Sequence, residues 1–409
     1  MKVWIKFLIG AIAGIIISYI LPVDNTSVTE AVSYATEIVI RFGRYMLIPV
    51  VFFTTIICFN RLRDNHLLLK TGLWTGAIIV GSAIILTIVG ISSILLVKLP
   101  RIPITDVSNP EGVSIGVMDL LRSLFPVSAF DSLSNGVYLL PVFFFACIIG
   151  CASTADPILF KPVIQLSDSL SKLMYNISVL FTEFLSFGMV AILTAWMIQY
   201  REVMAKGVYQ PLILMLLIDF VIVVAVIYPI IIRYLCHDPH PYRILYASIC
   251  SVLTAFFSGD ANLVLQLNMR HTKESLGVRR RINGVVNPLF SIFARGGTAL
   301  VTTIGFILIW RSYSTLSMPV ADIVKITLTA FGISFLLGGF PAGGAFITLT
   351  VLCTTYGKGF ENGYLLLKPA APIICSFATA FDAATAIFGT YIVGVKTKHV
   401  EHHSISHYI

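Results

Sequence analysis

The sequence predicts an all-α integral membrane protein with eight transmembrane helices and two re-entrant helical hairpins. Composition supports the membrane class, because 57% of the 409 residues are hydrophobic and only 12% are Asp, Glu, Lys or Arg. A soluble globular protein carries about 25% charged residues. Several nearly uncharged stretches, such as 71–97, also reach the roughly 20 residues with which a helix crosses a bilayer.

Apolar segments separated by polar loops predict the order of the helices. The first covers 3–22, and we expect it to be retained, since no small-residue cleavage site of the signal-peptide kind precedes Asp24. A polar, proline-containing loop at 99–116 separates the third helix from a fourth region. The other predicted helices of the first part cover 36–60, 69–98, 118–153, 161–200 and 207–236.

Two segments of the second half are interrupted in the middle and predict re-entrant hairpins. The segment 246–278 has a polar tip at 258–262, and the segment 325–368 has a glycine-rich tip at 338–344. Irregular backbone at membrane depth is tolerated only where protein or a water-filled cavity satisfies its polar groups. Paired interruptions of this kind point to the binding site of a transporter. The alternative at each tip is an ordinary helix kinked by Gly or Pro.

The basic residues lie mostly between the apolar segments and orient the helices. The formal net charge is +8, and the main clusters fall on one side if both termini are cytoplasmic. We therefore expect a multi-pass protein of the cell membrane, cytoplasmic or inner, in contact with the lipid bilayer. No basic stripe with aromatic residues occurs, so nucleic acid is not an expected partner. The seven cysteines include no CxxC pair, and we expect no cofactor and no zinc site.

Charged residues inside apolar segments are the first candidates for a functional site. A charge at bilayer depth costs at least roughly 2.5–3.5 kcal/mol, so such residues are retained for a reason. The alternative to function is a structural ion pair, and Arg295 with Asp382 is the pair that the sequence offers. The four residues are Asp219, Asp260, Arg295 and Asp382.

From about residue 40 onward the chain resembles the glutamate-transporter homologues, the dicarboxylate/amino acid:cation symporters. The landmarks occur in family order: the second-helix signature, the fourth-helix region, the entry and exit of hairpin 1, helix 7 and the tip of hairpin 2. Singly each is weak, and together they are specific. They correspond to 46–52, 125–144, 253–256, 269–270, 288–298 and 340–345.

The resemblance implies an elevator-type transporter and a homotrimer. A scaffold would hold the trimer together, and a mobile transport domain would carry a small-molecule substrate across the bilayer, with hairpin 2 as the extracellular gate. The implied division is scaffold helices 1 and 2 at 1–65, transport-domain helix 3 and its loop at 66–117, scaffold helices 4 and 5 at 118–206, transport-domain helix 6 at 207–245, and at 246–409 the transport core with hairpin 1, helix 7, hairpin 2, helix 8 and a cytoplasmic tail.

The resemblance also implies a substrate site, in which several residues depart from the family. The family's serine-rich tip falls on 260–262, and its Asn-Met-Asp-Gly-Thr motif is replaced by 294–298, with arginine in place of methionine. Helix 8 keeps one charged residue between 378 and 394. The implied substrate-binding residues are Asp260, Ala261, Asn262, Arg295, Thr298, Phe340 and Asp382. The implied gate residues are Pro341, Ala342, Gly343 and Gly344, where backbone carbonyls could line a weak sodium site.

The resemblance implies a symporter for a small organic anion or amino acid, such as a dicarboxylate or a glutamate- or aspartate-like amino acid. The departures favour sodium coupling that is weakened or replaced by protons. Arg295 could receive a substrate carboxylate, or it could supply the positive charge that sodium supplies in relatives. Asp382 could bind a substrate amino group, and either Asp260 or Asp382 could carry the coupling proton. A sodium-independent exchanger or facilitator, a channel, and a transport-inactive scaffold remain alternatives. A membrane enzyme is disfavoured, since no nucleophile–base set or metal-ligand spacing is visible.

Overall fold

The structure, a computed structural model, is built of α-helices, with two isolated β-bridges among the residues it describes. The helices are numbered α1 to α17 in chain order. The described residues are 2–22, 26–64, 66–103, 117–124, 126–135, 138–314, 318–337, 339–340, 342–357, 359–401 and 408.

The helices of the first half follow the predicted order with two refinements. The second predicted helix is longer than 36–60 and is divided at Tyr45 and Met46, and the fourth region consists of three short helices. The helices are α1 Val3–Ile20, α2 Thr26–Arg44, α3 Leu47–Asp64, α4 Leu68–Leu96, α5 Val117–Leu124, α6 Ala129–Asn135, α7 Leu139–Ala152, α8 Lys161–Ala205, α9 Gln210–Val221 and α10 Tyr228–Cys236. A π-helical segment, Ile222–Ile227, joins α9 to α10.

The helices of the second half are shorter and more interrupted. They are α11 Tyr242–Ser258, α12 Ala261–Glu274, α13 Arg280–Phe293, α14 Gly296–Tyr313, α15 Val320–Leu336, α16 Gly344–Tyr356 and α17 Ala371–Lys396, the last preceded by a 3₁₀ helix at Gly363–Ala370. The consecutive pairs α11 and α12, and α15 and α16, pack against each other. Each pair corresponds to one predicted hairpin.

Seven helical stretches of the described residues are long and apolar enough to cross a membrane. The eight predicted spans therefore agree with the structure in seven cases. The exception is the fourth, where the longest helix, Leu139–Ala152, has 14 residues. At 1.5 Å per residue it measures about 21 Å, which is shorter than the roughly 30 Å hydrocarbon core of a bilayer.

Burial divides the long helices into an inner and an outer set. In Arg280–Tyr313 and Gly363–Lys396, 94% and 89% of the most apolar window is buried, whereas in Val3–Ile20 the share is 33%. Outer helices expose large apolar side chains, such as Leu69 and Leu73 of α4. This pattern is that of a membrane-embedded protein, in which lipid replaces water against the outer helices. The inner set consists of α13, α14 and α17, and it includes Thr298 and Asp382.

Candidate functional site

The tip of the first hairpin is a two-residue turn between α11 and α12. Gly259 adopts φ +61°, the left-handed conformation that commonly ends a helix and that glycine adopts without a side-chain clash. Asp260 then caps α12, since its Oδ1 accepts hydrogen bonds from the backbone N–H groups of Asn262 at 2.9 Å and Leu263 at 3.1 Å. Ala261 is the first residue of α12. The interruption predicted at this tip is therefore confirmed.

Asp260 also forms an ion pair with Arg44, the last residue of α2. Two guanidinium nitrogens, Nε and Nη2, contact the same carboxylate oxygen, Oδ2. The Asp260 side chain is fully buried, whereas that of Arg44 is 32% exposed. This contact connects the tip of the first hairpin to a helix that lies more than 200 positions earlier in the chain.

The second hairpin reaches the first at their tips. Residues Asp260 and Ala342 form an isolated antiparallel β-bridge. Gly343 adopts φ +73° immediately before α16 begins at Gly344. Pro341, which we predicted as a gate residue, lies outside the described residues. The structure thus brings together the two tips that the sequence singled out.

Arg295 lies at a break between two consecutive inner helices, where α13 ends at Phe293 and α14 begins at Gly296. The side chain is 4% exposed, and its Nη2 donates a hydrogen bond to the backbone carbonyl oxygen of Phe340 at 3.0 Å. Its Nε is buried and has no hydrogen-bond partner among the described residues. The guanidinium therefore points into the protein at the tip of the second hairpin, where its Nε–H donor is available to another group.

Asp382 of α17 faces the same break. Its Oδ1 accepts a hydrogen bond from the backbone N–H of Gly297 at 2.8 Å, and its Oδ2 accepts one from the Thr298 hydroxyl at 3.0 Å. The carboxylate thus lies at the N-terminus of α14, where the helix dipole favours negative charge. The distance from Oδ2 to Nη1 of Arg295 is 4.0 Å, which is too long for a hydrogen bond.

Close helix packing holds this arrangement in place. A Cβ atom added to Gly297 would lie 2.3 Å from Cβ of Phe381 and 2.6 Å from the carbonyl oxygen of Ala378. Glycine is therefore required for α14 to approach α17 closely enough for its backbone to bond Asp382. The same helix, α14, also bonds the second hairpin, since the Thr302 hydroxyl donates to the carbonyl oxygen of Ala345 in α16 at 3.2 Å.

The predicted site residues therefore converge, with two exceptions. Asn262 is buried at the first tip, where its Oδ1 has no hydrogen-bond partner among the described residues. Phe340 contacts the ring of Tyr138 at a centroid distance of 5.5 Å. Pro341 is the first exception, because it lies outside the described residues. Asp219, a buried residue of α9, is the second, because no hydrogen bond or ion pair in the described part joins it to the other charged residues.

The sequence analysis missed Arg44 and a buried polar network. Arg44 interrupts the predicted apolar helix 36–60, so the criterion that found Asp260 would have found it too. In the network, Thr272 donates to Asn283 at 2.9 Å, and Asn287 donates to both Thr272 and Asn283. These bonds connect α12 to α13, so the first hairpin and the first inner helix are held together by more than apolar packing.

Comparisons with known proteins agree with this architecture. A family model described as the sodium:dicarboxylate symporter family matches residues 3–395. The human neutral amino acid transporter B(0) is 27% identical over 137 residues, and mouse excitatory amino acid transporter 4 is 26% identical over 137 residues. Each match covers 34% of this chain, and the chain spans 25% of the first relative and 24% of the second.

Proposed function

Because the chain belongs to the sodium:dicarboxylate symporter family, we propose that it is a secondary active transporter for an amino acid or a small dicarboxylate. The observation that supports this most is the convergence of Arg295, Asp382 and Thr298 with the tips of both hairpins. A buried arginine beside a buried carboxylate offers a partner to each charged group of an amino acid. The names of the relatives, which refer to neutral and excitatory amino acid transport, favour the same substrate class.

We further propose that the chain works by an elevator mechanism, as a homotrimer in the cell membrane with both termini cytoplasmic. In this proposal, helices 1–65 and 118–206 form the scaffold, while 66–117, 207–245 and the core at 246–409 move. Each hairpin would enter the membrane and return on the same side, and hairpin 2 would open through Ala342, Gly343 and Gly344. The high burial of α13 and α17 supports a compact moving core.

Sodium coupling is proposed to be weak in this chain. Arg295 donates to the carbonyl oxygen of Phe340, so a permanent positive charge already lies against the backbone that would line a sodium site. Two unit charges about 4 Å apart repel by about 4 kcal/mol at an effective dielectric constant of about 20. Protonation is the proposed alternative coupling step. Asp382 is the better candidate for a proton that occupies the site in exchange for the substrate. Its carboxylate accepts hydrogen bonds only from neutral groups and lies 4.0 Å from Arg295, whereas the carboxylate of Asp260 directly contacts the guanidinium of Arg44.

A sodium-independent exchanger or facilitator is the second candidate function. Arg295 and Asp382 face each other at 4.0 Å, so their opposite charges balance without a bound cation. A carrier whose empty site is already neutral can return across the membrane without an ion. Accumulation against a gradient, measured in sodium-free vesicles with and without a pH difference, separates this function from coupled transport.

The proposal of transport is tested in proteoliposomes that contain the purified protein. A transporter shows saturable uptake of radiolabelled amino acid and accelerates uptake when unlabelled substrate is loaded inside. A channel shows neither saturation in the same range nor counterflow, and an inactive scaffold shows no uptake. Either of the latter results across a panel of neutral amino acids, acidic amino acids and dicarboxylates would overturn the proposal.

A further inference from the structure

Four buried or half-buried charged side chains at the meeting point of the hairpin tips form two ion pairs. Arg44 pairs with Asp260, and Arg295 faces Asp382. The tip of the second hairpin connects the two pairs, since Ala342 forms a β-bridge with Asp260 and Phe340 accepts a hydrogen bond from Arg295. With both carboxylates ionised, the two positive and two negative charges sum to zero.

The first pair is closed to a ligand. The Oδ2 oxygen of Asp260 is contacted by two nitrogens of Arg44, and its Oδ1 oxygen accepts from the backbone N–H groups of Asn262 and Leu263. The side chain of Asp260 is fully buried. Since a guanidinium is always charged in a protein, Arg44 cancels the charge of Asp260 permanently.

The second pair is held less tightly. Each oxygen of Asp382 accepts a hydrogen bond from a neutral donor, the backbone N–H of Gly297 or the Thr298 hydroxyl, and neither is bonded by a charged group. The guanidinium of Arg295 and the carboxylate of Asp382 are 4.0 Å apart, beyond hydrogen-bond distance. Arg295 retains a buried Nε without a hydrogen-bond partner among the described residues. A carboxylate and an ammonium group carried by one small molecule can therefore bind to Arg295 and Asp382 in place of their mutual contact.

We propose that Arg44 is a specificity-determining residue, which cancels Asp260 and so makes the site select an amino acid of zero net charge. This inference rests on the proposed function. Burial of an uncompensated charge is unfavourable. A zwitterion leaves the site neutral, because its carboxylate compensates Arg295 and its ammonium group compensates Asp382. An acidic amino acid adds a second carboxylate for which the site has no free positive charge.

Arg41 provides a matched control for Arg44. Both arginines lie in the last turn of α2, where a basic side chain interacts favourably with the helix dipole. Arg41, however, is 77% exposed and pairs with Glu37 of the same helix. Any effect of Arg44 through the helix dipole should therefore also appear with Arg41, whereas an effect on the charge of the site should not.

The experiment measures the stabilisation of the purified full-length protein by L-serine, L-alanine and L-aspartate at pH 7.5, as apparent dissociation constants. The variants are Arg44→Gln, Asp260→Asn, the double variant of both, and Arg41→Gln. Asparagine caps helices as well as aspartate does, so Asp260→Asn removes the charge but retains the cap of α12. Uptake of the same probes into proteoliposomes is measured alongside.

The wild-type protein should bind L-serine or L-alanine at least about tenfold more tightly than L-aspartate, a ratio that corresponds to about 1.4 kcal/mol. Asp260→Asn leaves a net positive site and should shift the ratio about tenfold or more towards L-aspartate. Arg44→Gln should weaken binding of the neutral probes. The double variant is neutral again and should return to the wild-type ratio, and Arg41→Gln should not change it.

Three results would overturn the inference. One is tighter binding of L-aspartate than of both neutral probes by the wild type. Another is a double variant that keeps the ratio of either single variant. The third is the absence of any response to neutral amino acids while another solute is taken up, which leaves the proposal of transport intact. If no solute is bound or taken up at all, both proposals fail together.

Discussion

Arg295 donates a hydrogen bond from Nη2 to the backbone carbonyl oxygen of Phe340 at 3.0 Å. This contact connects the break between α13 and α14 to the tip of the second hairpin. It places a permanent positive charge among groups that the family resemblance associates with sodium. Arginine stands here where the family resemblance implies methionine, and the proposals on substrate binding and on sodium coupling both depend on this arginine.

Replacement of Arg295 by methionine, the residue that the resemblance implies here, is expected to abolish substrate binding or to make it sodium-dependent. The variant removes the guanidinium that would bind the substrate carboxylate, and with it the positive charge that repels a cation. Arg295→Lys is the control, because it keeps the charge but loses the planar fork of donors. It should bind more weakly and remain independent of sodium. Unchanged binding and transport by Arg295→Met would exclude both proposed roles of this arginine.

Asp382→Asn is expected to weaken substrate binding about tenfold or more and to remove the pH dependence of uptake in sodium-free medium. A proton on Asp382 competes with the ammonium group of a zwitterionic substrate, so wild-type uptake should slow as the external pH falls. Initial rates between pH 5.5 and pH 8.5 provide the measurement. Asp219→Asn, at a buried carboxylate outside the site, should keep the wild-type profile. Retention of that profile by Asp382→Asn would show that another group titrates.

Gly297→Ala is expected to lower the free energy of unfolding by about 1–3 kcal/mol, the usual cost of overpacking a core, and to impair transport. The new Cβ atom would meet the backbone of α17 at Ala378 and would push the helix N-terminus away from Asp382. Gly72→Ala is the control, since no atom lies within 4 Å of a Cβ atom at that position. Thermal unfolding in detergent compares the two. Equal stability of both variants would mean that α14 and α17 are packed less closely than described.

Asp238 lies in the loop between α10 and α11. Its ionised carboxylate is expected to stabilise the protein at neutral pH and to lose this effect when it is protonated in acid. Burial alone would raise its pKa, but hydrogen bonds from the Tyr391 hydroxyl and the backbone N–H of His240, with the charge of Arg243, lower the pKa overall. A carboxyl whose pKa is lowered by folding contributes stability above its unfolded pKa of about 3.9, and this contribution is lost as the pH falls through the folded value.

The prediction is tested by thermal unfolding of the wild type and Asp238→Asn from pH 7 down to pH 3. At pH 7 the variant should be less stable by about 1.5–3 kcal/mol, the worth of hydrogen bonds to a charged group. The difference should shrink as the wild-type carboxylate is protonated. A difference that stays constant down to pH 3 would mean that the charge of Asp238 contributes nothing.

The sequence predicted features that depend on local chemistry. The tips were located because a polar stretch and a glycine-rich stretch interrupt two apolar segments, and Gly259 and Gly343 at these tips adopt positive φ. The buried charges were located because few charges occur in apolar segments. Partners across the fold could not be predicted in this way. The pairing of Arg44 with Asp260, and the bond from Gly297 to Asp382, depend on how distant helices pack, which no local pattern specifies.

The most direct test of the account is the initial rate of amino acid uptake into proteoliposomes as a function of sodium concentration at fixed pH. Potassium or choline should replace sodium at constant ionic strength, so that only the coupling ion changes. We expect a nearly flat dependence, because Arg295 places a permanent positive charge against the carbonyl oxygen of Phe340, beside the backbone proposed to line a sodium site. A steep dependence with a Hill coefficient clearly above unity would contradict the account and would show that other groups form sodium sites in this chain.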